Sequence, residues 1–113
     1  MNKYSKHLKK LAKVCSLDCW NLDVEIAVFL IPRLKSIKKN KQGVPFEYCG
    51  DNYTGQSKEE FKESIKIWHK DLDIMIETFK LIEKGEYIDK HSNKSLVEGG
   101  LQLFVKNIGN LWT

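Results

Sequence analysis

Trp20, Asp23 and Arg33 are the residues of this chain whose types and spacing come nearest to a ligand site. With Asp18 they could line a polar pocket beside the indole, one able to sequester a nucleotide or an oligonucleotide. Lys35 adds a cation to the set. Such a pocket needs further charged or polar groups from the last helix, for which Glu98 and Asn107 are the candidates. The same residues have a plainer use. At a helix start Asp18 would accept from free amides, Asp23 would favour the positive helix end, and Trp20 would pack over the first turn.

A second set is basic. Lys3, Lys6, Lys9, Lys10 and Lys13 fall within an arc of about 120° when wound as a helix, and Tyr4, Leu8, Leu11 and Val14 lie on the other side. That lysine face could grip the phosphates of a nucleic acid, with Lys35, Lys38 and Lys39 extending it. An acidic protein surface fits it equally well. Base readout has no support, because no helix-turn-helix spacing follows and acids dominate the later chain.

The remaining chemistry is sparse. His69, Asp73 and Glu77 stand four apart on one strip of a helix, but a single helix supplies too few ligands for a metal. Lysines at 66, 70, 80 and 84 interleave with acids there, which reads as a solvated, ion-paired face. Cys15, Cys19 and Cys49 are odd in number and lack the second close pair that a structural zinc site needs, so they read as reduced thiols. There is no G-x-S-x-G, no phosphate-binding glycine loop and no H-E-x-x-H. These absences lead to the expectation of a protein without catalytic residues, metal or cofactor.

The elements that must position these groups are helical. Residues 3–14 form a short amphipathic helix. A second helix is expected from about Trp20 to Lys39, with Leu22, Ile26, Phe29, Leu30, Leu34 and Ile37 as an inward stripe. Pro32 lacks an amide and crowds the carbonyl of Val28, so a kink is expected there. Asn40 to Gln56 reads as a long loop whose aromatics Phe46, Tyr48 and Tyr53 favour packing onto the body. Ser57 and Glu60 make a capping box, and the helix behind them should run to about Lys84 before Gly85. Its inward face is Phe61, Ile65, Trp68, Leu72, Met75, Ile76, Phe79 and Ile82. The last helix is expected from about Ser95 to Leu111, with Val97, Leu101, Phe104, Val105, Ile108 and Trp112 inward. Gly99, Gly100 and Gly109 weaken it in isolation by about 1 kcal/mol each, and helical glycines allow the close approach of another group.

The chain therefore reads as all-α: a small bundle of three principal helices over residues 16–113, preceded by a basic amphipathic helix over residues 1–15. Its 113 residues are 42% hydrophobic and 30% charged, which suits one folded, soluble domain. No window approaches the length of apolar chain needed to cross a membrane, and the lysine-rich start is not a secretory signal. The charge is uneven. Residues 1–41 hold ten Lys and Arg against three acids, a net +7, whereas residues 42–113 are net −3. Such asymmetry offers a basic face to an acidic partner, and it also lets two parts of one domain attract each other.

Three stretches carry a resemblance. Asp18-Cys19-Trp20-Asn21-Leu22-Asp23, then Ile31-Pro32-Arg33-Leu34 and Gly43-Val44-Pro45, make up the front. Trp68, Leu72, Asp73, Met75, Ile76 and Phe79 form the middle, and Gly100-Leu101-Gln102-Leu103-Phe104 with Leu111-Trp112 the end. In this order they resemble a family of small bacteriophage and prophage proteins, over about residues 16–113. Where the family usually has an acid before the matching glycine, this chain has Gly99, with Glu98 one place earlier. The resemblance implies a phage origin, work in the cytoplasm of the infected bacterium, and no catalytic residues. The function expected is binding, with a host protein or a defence-system protein as the partner to be inhibited. Sequestration of a nucleotide near Trp20, Asp23 and Arg33, or backbone binding through the N-terminal lysines, are the alternatives.

Overall fold

Ser57 begins the longest helix in the computed structural model, which describes residues 3–11, 21–41, 43–49, 57–87 and 91–113. Four α-helices follow one another there: α1 (Lys3–Leu11), α2 (Leu22–Asn40), α3 (Lys58–Lys84) and α4 (His91–Asn107). Single 3-10 turns lie at Phe46–Tyr48 and Ile108–Asn110, and no strand occurs among the described residues. The expected capping box is formed. The Ser57 hydroxyl accepts from the Glu60 amide at 3.2 Å, and the Glu60 carboxylate accepts from the Ser57 amide at 3.5 Å. Gly85 ends α3 in the left-handed region, at φ 71°. There its amide donates to Ile82 and the next amide to Leu81, both at 3.0 Å, which satisfies two carbonyls the helix leaves free.

α3 is the spine. Trp68, Leu72, Met75, Ile76, Phe79 and Ile82 are buried along it, joined by Ala27, Ile31 and Leu34 from α2 and Val97 from α4. α2 and α4 each pack along α3 and share no comparable interface with each other. Both run antiparallel to the spine: Lys38 near the end of α2 pairs with Asp73 at 2.7 Å, and Asp23 at its start meets Tyr87 just beyond α3. α4 seats itself at Gly100, which lies against the Thr78 side chain, while Phe104 meets Phe79 edge-on at 5.2 Å. The chain ends in a clasp. Lys41 donates to the carbonyls of Asn110 (3.4 Å) and Trp112 (3.1 Å), with its ammonium 3.8 Å from the Trp112 ring centroid.

Several expectations need correction. Leu22, Ile26 and Phe29 do not face the core but are exposed, because the side of α2 that meets α3 is the smaller set Ala27, Ile31 and Leu34. α4 begins at His91, four residues earlier than its apolar pattern suggests, and ends at Asn107. Of its expected inward face, Leu101, Val105, Ile108 and Trp112 are exposed, and Gly100 and Asn107 take the buried positions. Phe61 is exposed as well, since it precedes the part of α3 that the other helices reach. In the loop, Tyr48 packs on Trp68 while Phe46 is exposed; Tyr53 lies outside the described residues. Pro32 lies inside α2, which spans it as the expected helix does.

Candidate interaction face

Asp23 and Glu98 come to the same end of the molecule, and Tyr87 is what joins them. Its phenol donates to Asp23 Oδ2 at 2.5 Å, and its ring lines a cleft of about 310 Å³ with Lys94, Val97, Glu98 and Leu101. The Tyr87 hydrogen bond, followed by the Val24 amide in the first turn of α2, holds the Asp23 carboxyl below the usual carboxylate range. The same bond raises the Tyr87 phenol. Tyr87 carries no signal in the sequence: it sits in a polar turn after α3, outside any periodic pattern.

Arg33 is not part of this cluster. It follows Asp23 by ten residues, about 15 Å along the helix. Its guanidinium donates to the Phe29 carbonyl at 2.8 Å and lies 3.7 Å from the Phe29 ring centroid. Pro32 leaves the Val28 carbonyl without its amide donor, and the guanidinium serves the neighbouring Phe29 carbonyl. Lys35 is exposed roughly 200° round the helix from Arg33. Trp20 and Asp18 lie outside the described residues, as does Lys13. Lys3, Lys6, Lys9 and Lys10 are all exposed on α1. The His69–Asp73–Glu77 strip is drawn into ordinary pairing, Asp73 with Lys38 and Glu77 with Lys80 at 3.1 Å.

Asn107 belongs to a different cluster, at the other end of α4. Tyr48 donates to Asp71 Oδ2 at 2.5 Å, and Asn107 Nδ2 donates to the Tyr48 oxygen at 3.1 Å and the Leu103 carbonyl at 3.2 Å. Asn110 Nδ2 then donates to Asn107 Oδ1 at 2.9 Å and Glu47 at 3.4 Å. These groups border a cavity of about 440 Å³ with Ile67 and Lys106. The network is mutually satisfied, so its evident use is to fasten the Phe46–Tyr48 turn to α3 and α4. Phenylalanine at Tyr48 should cost about 1–3 kcal/mol, since Asn107, only 2% exposed, would lose a partner. Burial, and then the bond to Asp71, hold the Tyr48 phenol far above its ordinary value. The unfolded chain releases that proton near pH 10. The stabilisation is therefore complete below that pH and falls away as pH rises beyond it. Urea melts of wild type and Tyr48→Phe across this range should show a shallower alkaline decline in the variant; Tyr87, raised in the same direction, leaves a residual slope.

The largest unsatisfied feature is apolar. On α2, Leu22, Ile26 and Phe29 lie about 100–160° round from the residues that face α3; on α4, Leu101, Val105 and Ile108 lie about 80–140° round from Gly100. The two helices run in the same direction on opposite flanks of α3, and the offsets have opposite sense. Both strips therefore turn to one side, the side on which Tyr87 reaches Asp23. All six residues are exposed, Phe29 by 56% and Val105 by 67%. Leu30, Ile37 and Phe104, half-buried between these strips and the buried faces, pack against the core. By helix geometry the two strips wall an open trough on that side, with the cleft of Tyr87, Val97, Glu98 and Leu101 at one end. Comparison with family models, curated proteins and solved structures returned no match to this chain.

Proposed function

We propose that this protein acts by binding another protein, and that the trough between α2 and α4 takes an amphipathic helix of the partner. The observation that carries the reading is the exposure of two apolar strips, Leu22, Ile26 and Phe29 on α2 and Leu101, Val105 and Ile108 on α4, which helix geometry turns to one side. Contiguous apolar surface of this kind is unfavourable in water and marks contact sites. A helix laid in a groove presents anchors every three or four residues, which is also the spacing of the strips that would receive it. The resemblance to bacteriophage proteins supports a host protein or a defence-system protein as the partner, met in the cytoplasm of an infected bacterium and inhibited by occupation rather than by chemistry.

The test is a matched pair of baits in host lysate. Wild type and a Phe29→Asp/Val105→Asp variant are compared after showing that both melt at similar temperature. A specific partner should be retained by wild type and reduced at least about tenfold by the variant, since two apolar anchors of about 1.5–3 kcal/mol each are removed. Equal recovery on both baits would remove the trough from the function.

A further inference from the structure

In the arrangement of an up-down-up-down bundle the three packed helices would fill three corners of a square. α2 and α4 both lie on α3, run parallel to each other and share no interface comparable to those with α3, which is the diagonal relation of the second and fourth helices in an up-down-up-down four-helix bundle. The corner diagonal to α3 is the trough. In such a bundle that corner belongs to the first helix, with its apolar stripe inward. α1 has the matching character: Tyr4 and Leu8 on one side, Lys3, Lys6, Lys9 and Lys10 on the other. Yet in its own chain α1 leaves Tyr4 69% and Leu8 46% exposed, at the same time as the trough is open. Charge is compatible: α1 carries four lysines and no acid, while Asp23 and Glu98 outnumber the one lysine, Lys94, at one end of the trough.

We propose that the occupant is α1 of a second copy, so that two chains exchange their N-terminal helices in a two-fold dimer. Each Tyr4–Leu8 face then covers Leu22, Ile26 and Leu101 of its neighbour, and the lysines remain at the rim near Asp23 and Glu98. Exchange satisfies both exposed faces twice per dimer, as a closed two-fold contact requires. α1 has nine residues against nineteen in α2, about 14 Å against 28 Å. One end of the trough, towards Arg33 and Ile108, stays open. α1 thus takes the Leu22, Ile26 and Leu101 end and leaves Phe29, Val105 and Ile108 exposed for the partner helix proposed above. The exchange is tested on the purified protein alone, so its failure is distinct from a failure of that reading.

Sedimentation equilibrium of the full chain over about 1–100 μM should return a dimer of the 13.2 kDa chain, in the concentration range where modest interfaces associate. Tyr4→Asp/Leu8→Asp should weaken it at least about 100-fold with unchanged melting of the core. A disulfide test fixes the geometry, in a background with Cys15, Cys19 and Cys49 replaced by serine. Chains carrying only Leu8→Cys, mixed with chains carrying only Leu101→Cys, should give the mixed disulfide in excess over either like pair. A monomer at 100 μM overturns the proposal, and so does a statistical mixture of disulfides. A double-cysteine chain that closes on itself as a monomer overturns it as well, because α1 then covers its own trough.

Discussion

Replacing Trp68 with alanine should lower the unfolding free energy by about 3–5 kcal/mol, the range for deleting a large buried aromatic side chain. Trp68 is fully buried at the centre of the spine, with Leu72 and Met75 also buried in the turns that follow it and Tyr48 edge-on at 5.0 Å. Removing it leaves a cavity that helices fixed on both flanks of α3 cannot collapse to fill. The loss should also loosen the Phe46–Tyr48 turn, leaving it to the Tyr48–Asp71–Asn107 network and the Asn110–Glu47 bond among others. Phenylalanine should behave differently. The Trp68 indole nitrogen is buried with no hydrogen-bond partner, and an unmet donor costs about 1–3 kcal/mol. Trp68→Phe discards that donor together with some packing, so the two effects offset and the variant should stay within about 1 kcal/mol of wild type. Chemical denaturation of the three proteins decides the matter. A Trp68→Phe loss as large as that of Trp68→Ala would mean that the nitrogen contributes to stability after all.

Adjacent glycines in α4 should respond to alanine in opposite directions. A Cβ on Gly100 would fall 1.7 Å from Thr78 Oγ1, 2.7 Å from its Cβ and 2.9 Å from its Cγ2. Rotating the threonine does not clear the way, because its own Cβ is already too close. The Oγ1 also donates to the Ile74 carbonyl at 2.8 Å. α4 must therefore lift from α3, at about 2–3 kcal/mol, a fall in Tm of roughly 10–20 °C. Gly99 has nothing within 4 Å of the corresponding position and is exposed. Alanine there should stabilise by about 1 kcal/mol through helix propensity alone. Exchanging the pair, Gly100→Ala with Thr78→Gly, should restore the seat of α4 less about 1 kcal/mol for the glycine placed in α3. If Gly100→Ala melts at or above wild type, α4 does not sit on Thr78.

What the sequence made legible follows the range over which its signals act. Ser57 with Glu60 and then Gly85 delimit α3 through contacts within one turn, and its ends are where those residues put them. The start of α4 was hidden, since His91 to Lys94 are polar and the apolar period begins only afterwards. Periodicity found an apolar arc on α2 but not its orientation: the arc is wider than one contact, and small Ala27 rather than Phe29 meets α3. Gly100 was legible as a place of close approach, although not as the partner of Thr78. The polar clusters were out of reach for a simpler reason. Tyr48 meets residues 23 and 59 positions away, and Tyr87 meets one 64 positions away. No local pattern encodes such distances. Asp23 and Glu98 do share one end of the molecule, whereas Arg33 is drawn to its own helix and Asn107 to the far end.

The Lys41 clasp has a consequence for how the chain assembles. The principal interfaces join helices that are consecutive in sequence, so no intervening element has to be spanned and their loop-closure entropy is met early. The clasp reaches further than the Tyr48 and Tyr87 bonds: Lys41 meets the Trp112 carbonyl across 71 positions through an exposed bond, and the Asn110 carbonyl through a part-buried one. It closes only after α2, α3 and α4 have brought their ends together, and exposed contacts of this kind open well below the energy of global unfolding. The tail of the protein is thus the last part to arrive and the first to leave.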